Sequence, residues 1–235
     1  PHGVFMAGDK RQDDTQIIQI ASVDTCTRRK KFPPAQFVVI DEAHYAGSKS
    51  FKDFLSNYEN ARWLAVTATP WTDEGLEHLA PDEDVLYPIS IKDLVAEGHL
   101  CPAKYYMPSE MDSSKVKIKA GEFDEAESIA AFEKQGIIGD VVKHYEKFCK
   151  DECTFVFAIN IAHAKSICES FQQAGHDAVV ITGDDPLEYR TAILDSKNLI
   201  ISVGTLTTGV DVPRLKNIIL CRPTASKNLY VQMLG

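Results

Sequence analysis

Short apolar runs alternate with amphipathic stretches along nearly the whole chain, and this rhythm restricts the fold more than any other feature. A continuous apolar run reads as a strand buried on both faces, and parallel strands need a helical crossover between them. The first half predicts strands at Val4–Ala7, Ile17–Ser22, Phe37–Ile40 and Trp63–Thr67. Between the last two, Phe51, Phe54, Leu55 and Tyr58 recur at helical spacing. Ser90 and Asp93 form a capping box for a helix that Gly98 closes. From Leu100 to Glu122 the rhythm loosens into a linker with one or two edge strands.

The rhythm then restarts. Asp124 and Glu127 cap a helix, and Ile138, Val141, Val142, Tyr145 and Phe148 share one face of the next. Strands are expected at Phe155–Ile159, Ala178–Thr182, Leu199–Val203 and Asn217–Cys221. The helix Ile161–Ala174 ends at Gly175, and Asp185, Pro186 and Glu188 open another. The fold class is therefore α/β, with two parallel-sheet domains in tandem, 1–106 and 107–235, joined near Met107.

Composition removes several classes of function. No apolar run approaches the ~20 residues of a membrane helix, and the start lacks a secretory signal pattern, so an intracellular, cytoplasmic protein without a membrane partner is expected. Lys and Arg number 25 against 34 Asp and Glu, a net charge of −9 that offers no chain-wide attraction to phosphate polymers. The one dense basic run, Arg28-Arg29-Lys30-Lys31, is either a local nucleic-acid contact or a solvated face. The six cysteines read as reduced thiols; Cys149 and Cys153 with His144 lack the two tight pairs of a zinc site. Opening at Pro1 and stopping at Gly235 inside a helical pattern, the chain reads as a fragment.

The sharpest chemical signal is Phe37-Val38-Val39-Ile40-Asp41-Glu42-Ala43-His44. An apolar strand ending in two acids sets both carboxylates at the carboxyl end of a sheet, where ligands of open α/β folds bind. Asp41 would hold Mg²⁺, a cation that prefers oxygen ligands and keeps much of its water. Glu42 would orient the water attacking a terminal phosphate, with His44 hydrogen-bonding across the site. Thr67 and Thr69, at the end of the next strand, can bridge those acids to a second domain. In Gly204–Pro213, backbone N–H groups can meet phosphates and Asp211 a ribose hydroxyl.

Taken in order, these segments resemble the motifs of superfamily 2 helicases of the DEAD/DEAH-box type. Asp41-Glu42-Ala43-His44 is similar to motif II, the Walker B box, and Thr67-Ala68-Thr69 to motif III. Phe155–Ala164 resembles motif IV, Gly204–Pro213 motif V, and Tyr230–Gly235 the opening of motif VI. Ala21–Thr25 is similar to the strand and turn that touch the nucleic-acid backbone. Arg222–Ser226 and the Ser90–Gly98 helix most resemble the RadD-like bacterial and phage branch.

The resemblance implies two RecA-like domains of the P-loop NTPase fold, the first incomplete at its N-terminus, with ATP and Mg²⁺ as cofactors. It implies catalytic roles for Asp41, Glu42 and His44, coupling by Thr67 and Thr69, and nucleotide contacts from Gly209, Asp211 and Gln232. Nucleic-acid backbone contacts fall to Thr25, Arg28, Thr182 and Thr205, with DNA placed ahead of RNA. Two elements depart from the pattern. No G-x-x-x-x-G-K-S/T loop is present, since Gly3–Lys10 is strand-like between its glycines and Lys10 comes one residue late. Trp71-Thr72-Asp73-Glu74-Gly75 stands where the RadD-like branch carries an arginine. The parent protein is thus expected to be an ATP-dependent helicase or translocase, and this stretch alone inactive. A non-hydrolysing nucleic-acid-binding module and the motor subunit of a restriction system are the alternatives.

Overall fold

Along the strand Cys153–Ala158 every residue is buried, and successive side chains enter different cores. Cys153, Phe155 and Phe157 face one way, Val156 and Ala158 the other. That is the period of two expected of a strand covered on both sides. The computed structural model describes residues 1–45, 47–69, 86, 89–107, 114, 116–119, 122–134, 137–206 and 210–234, without the side chains of 137–139. These fall into two units, Pro1–Pro88 and Ile89–Gly235. The division near Met107 suggested by the linker composition lies inside the second unit.

The second unit opens with helix α3 (Ile91–Ala96) and a small antiparallel hairpin, β5 (Ile118–Lys119) and β6 (Glu122–Phe123). Helices α4 (Glu125–Lys134) and α5 (Ile137–Phe148) lead to β7 (Cys153–Ala158), α6 (Ile161–Gln173) and β8 (Ala178–Ile181). Then come α7 (Leu187–Ser196), β9 (Leu199–Ser202), β10 (Leu215–Cys221) and α8 (Lys227–Leu234). The four strands pair in parallel in the order β10-β7-β9-β8. Phe132, Tyr145, Ile167 and Phe171 from α4, α5 and α6 cover one face; Ile193, Leu194, Leu229 and Met233 from α7 and α8 cover the other. Each large apolar side chain withdrawn from water contributes about 1.5–3 kcal/mol. The route from β7 through α6 runs toward β8, whereas the route from β9 crosses to β10 on the opposite side of β7. The crevice between these diverging connections lies at the carboxyl ends of β7 and β9, the place where open α/β sheets take ligands.

Local signals in this unit hold where they are self-contained. Ser90 Oγ accepts from the Asp93 N–H at 3.1 Å and Gly98 takes φ +79°. Asp124 Oδ1 accepts from the Glu127 N–H at 3.0 Å, capping α4, and Gly175 takes φ +88° after α6. The cap expected from Asp185 is a correction. Pro186 occupies the N-cap position of α7 without a side-chain bond, because the Asp185 carboxylate turns back to Thr182. Cys149 packs against the core on the α4–α6 face while Cys153 faces the other. The described residues contain no group of three or more His, Cys, Asp or Glu able to hold a metal ion.

In the first unit, β1 (Gly3–Phe5) pairs in parallel with β2 (Gln19–Ala21), and α1 (Val23–Arg29) follows. Strand β3 (Phe37–Ile40) pairs in parallel with β4 (Arg62–Ala65) through a 3₁₀ turn at Ala43–Tyr45 and helix α2 (Lys49–Leu55). The expected full burial of β3 is corrected: Phe37 and Val39 remain 57% and 56% exposed. They line an open cleft of about 860 Å³ between the two strand pairs, together with Ile18, Ile20, Phe51 and Tyr58. Among the described residues no helix is long and apolar enough to cross a membrane.

Candidate active site and nucleic-acid contacts

Strand β3 delivers Asp41 and Glu42 at its carboxyl end. Asp41 is exposed, and its Oδ1 accepts the Glu42 N–H at 2.9 Å. Glu42 takes φ +51°, a left-handed conformation that costs a non-glycine residue about 1–2 kcal/mol. The surrounding backbone holds it there. The Ala43 N–H donates to Val66 O at 3.0 Å, the Val66 N–H to Ile40 O at 2.9 Å, and the Tyr45 N–H to Glu42 O at 3.0 Å. The turn after β3 is thereby sewn to the end of β4.

His44 completes this corner. Its Nδ1 lies 3.2 Å from Glu42 Oε2 and 3.1 Å from Thr67 Oγ1, with the side chain almost wholly buried. The carboxylate can only accept, so Nδ1 carries the proton and shares it between both oxygens. Burial lowers the His44 pKa below its ordinary value, and the Glu42 charge raises it in part. Thr67 Oγ1 also accepts the Thr69 N–H at 3.1 Å. Thr69 is 0% exposed, and its hydroxyl has no hydrogen-bond partner among the described residues. Asp41, Glu42, His44, Thr67 and Thr69 thus converge at one end of β3 and β4.

A second cluster in this unit gathers Thr25 and Arg28. Ser22 caps α1, and Thr25 Oγ1 accepts the Ala7 N–H at 3.2 Å while retaining its own proton to donate. Thr25, Arg28 and Arg29 line a shallow cavity of about 280 Å³ beside Ser22 and Asp24. Within the basic run, Arg29 and Lys31 also lie over the Phe5 ring at 5.5 and 5.3 Å, and Lys31 pairs with Asp14.

In the second unit, Thr182 directly follows β8 and Thr205 lies just past the neighbouring β9, and a Cβ on Gly183 would lie 3.6 Å from the Thr205 methyl. Both donors of Thr182 are taken by Asp185 Oδ2, the N–H at 2.7 Å and the hydroxyl at 3.0 Å. Thr205 Oγ1 sits 3.0 Å from the buried Ser202 Oγ, on a turn that Gly204 permits with φ +66°. Asp211 is exposed and Gln232 half-buried on α8; Gly209 and Trp71–Gly75 lie outside the described residues. Sequence reasoning gave Asp185 a helix cap and missed Ser202; these two residues fix Thr182 and Thr205. The Thr-x-x-Asp spacing of 182–185 was the available signal for the first.

Residues 2–72 match the family model described as "Type III restriction enzyme, res subunit". That span holds Thr25, Arg28, Asp41, Glu42, His44, Thr67 and Thr69. A 51.5 kDa protein of a Lactococcus phage is 29% identical over 200 residues, 83% of this chain and 44% of that protein. IRC3 of Saccharomyces cerevisiae, which carries the name of an ATP-dependent helicase, is 28% identical over 95% of this chain and 35% of its own length. The chain is similar to superfamily 2 helicases. The architecture is RecA-like. A fragment assigned to the HsdR subunit of a type I restriction enzyme from Vibrio vulnificus YJ016 superposes over 100% of this chain and 46% of its own. The TM-score there is 0.70 at 19% identity. The chain spans less than half the length of these two sequence relatives.

Proposed function

We propose that this chain is part of an ATP-dependent nucleic-acid helicase or translocase. The observation that carries the reading is the corner at the end of β3, where a left-handed Glu42 beside Asp41 is bridged through His44 to Thr67. An exposed carboxylate at a strand's carboxyl end suits Mg²⁺, so Asp41 is the residue that would hold the ion. Bound with ATP, magnesium supplies charge neutralisation at the terminal phosphates. Glu42 orients the attacking water and accepts its proton. His44, kept neutral by burial, donates to Glu42 and fixes its side chain. Thr67 ties that histidine to the segment leading to Thr69, the pair assigned to coupling. Gly209, Asp211 and Gln232 are assigned to nucleotide contact.

Thr25, Arg28 and Thr205 contact the nucleic-acid backbone, and Thr182 joins them when Asp185 releases its donors. Such contacts position without reading sequence, and DNA is favoured over RNA. The open apolar cleft supports reading 1–106 as part of a larger RecA-like domain, with 107–235 as the second. Without a G-x-x-x-x-G-K-S/T loop in its 235 residues, this chain alone binds an ATP analogue with little or no heat in calorimetry. The res-subunit match and the HsdR likeness favour one second reading, the motor of a restriction system.

The deciding experiment is an ATPase assay on the longer gene product with single-stranded DNA, duplex DNA or RNA added. Stimulation by DNA supports the motor reading. Hydrolysis indifferent to every nucleic acid overturns it.

A further inference from the structure

Glu122 reaches a segment roughly one hundred residues away in sequence. It lies on β6, opposite Lys119 in the small hairpin, and is half-buried. Its Oε1 accepts the Thr224 hydroxyl at 2.8 Å and the Ser226 N–H at 3.2 Å, and its Oε2 accepts the Ala225 N–H at 3.4 Å. Ser226 caps α8, its Oγ accepting the Leu229 N–H at 3.2 Å. One carboxylate thus gathers three donors immediately before an eight-residue helix, at the end where the helix dipole is positive.

The hairpin that carries Glu122 is itself anchored. Lys119 Nζ pairs with Asp124 at 2.5 Å, the Lys117 N–H donates to Glu127 at 2.9 Å, and Asp124 caps α4. Helix α4 packs through Phe132 on one face of the four-stranded sheet, and α8 through Leu229 and Met233 on the other. Glu122 therefore ties together helices on opposite faces. Leu229 and Met233 are one turn apart on a single stripe of α8 that packs on the sheet. The bonds at its first turn add a restraint on its rolling and tilting.

We propose that Glu122 is a positioning residue that sets the rotation of α8 and thereby presents Gln232 to the nucleotide. The nucleotide part rests on the reading under Proposed function. Nothing in the motif pattern marks Glu122, which lies in the loosely patterned segment between the two regular halves.

Two measurements test it. Hydrogen exchange on this chain, wild type against Glu122→Ala, should show the Ser226 and Leu229 amides exchanging about tenfold faster while Phe157 and Ile200 in the central strands are unchanged. In the longer gene product, with saturating single-stranded DNA, Glu122→Ala should raise the KM for ATP about tenfold and leave kcat within about twofold, the signature of lost binding rather than lost chemistry. Glu122→Gln, which keeps one acceptor oxygen, should fall between wild type and Ala. Lys165→Met, at an exposed position of α6 away from the hairpin and α8, should match wild type. If Glu122→Ala fails to fold, Thr224→Val removes one donor and should give the same pattern at smaller size. Unchanged exchange at α8, or acceleration in the central strands alongside it, overturns the positioning role. Altered exchange with KM unmoved overturns the link to nucleotide. Absence of ATPase in the wild-type longer protein instead overturns the nucleotide reading itself, while exchange still decides whether Glu122 holds the helix.

Discussion

His44 Nδ1 stands 3.2 Å from Glu42 Oε2, joining two residues of one tight turn across a backbone that would otherwise relax. Glu42 sits at φ +51°, and its side chain is held by a buried, neutral imidazole that also reaches Thr67. An acid so tethered is held near one orientation although its side chain is 40% exposed, and orientation of a water molecule needs that restraint.

Glu42→Gln keeps the shape of this corner and removes its basicity. In the longer gene product it should leave ATP affinity nearly intact and reduce hydrolysis by about 10²–10⁴-fold, read by single-turnover kinetics. Turnover at the wild-type rate would remove Glu42 from the mechanism.

The same substitution should move His44. Burial lowers its pKa and the Glu42 charge partly restores it, so neutralising residue 42 should lower the His44 pKa further. Imidazole NMR titration of this chain reads the shift directly. An unchanged value, or a rise, would show that the carboxylate does not raise the pKa of the ring.

His163 makes the second unit sensitive to acid. Its Nδ1 accepts the Ile159 N–H at 3.3 Å, so Nε2 bears the proton, and Nε2 has no hydrogen-bond partner among the described residues. At 3% exposure, desolvation lowers its pKa below the ordinary 6.5. The unfolded chain therefore binds a proton more readily than the folded one. Stability is intact above pH about 6.5 and falls as pH drops toward the folded pKa. Urea midpoints at pH 7.5 and 5.5 should differ more for wild type than for His163→Gln, and equal differences would dismiss the assignment.

Arg28→Ala should weaken binding to single-stranded DNA equally across sequences and reduce the slope of log affinity against log salt by about one. Fluorescence anisotropy over a salt series measures it. A loss confined to particular sequences would point to base reading instead of phosphate contact.

Phe171 of α6 is fully buried against α5, edge-on to Tyr145 at 5.2 Å. Phe171→Ala should cost about 3–5 kcal/mol in chemical unfolding through the cavity it leaves. A loss under 1 kcal/mol would mean that the helices collapse to refill the space.

Strand and helix identities were legible in the residues because each is set by a short-range pattern. The run 155–159 has its core faces on both sides, and Ser90, Asp124 and Gly175 act within one turn of their own position. The pairing of Asp41 with Glu42 at a strand end was legible for the same reason. What could not be read was any bond whose partners are distant in the chain or compete for one group. Asp185 satisfies the rules for a helix cap, yet it serves Thr182, which offers two donors at once. Phe37 and Val39 have the pattern of buried strand residues, yet burial depends on what covers the strand, and among the described residues β3 pairs only with β4. Glu122 gained its partners only when the sheet brought β6 beside the turn before α8, about a hundred positions later. Periodicity, capping and composition are properties of adjacent residues, so the sequence alone determined the elements and the acidic pair. Which carboxylate meets which donor across the sheet depends on strand order, and that was decided by tertiary structure.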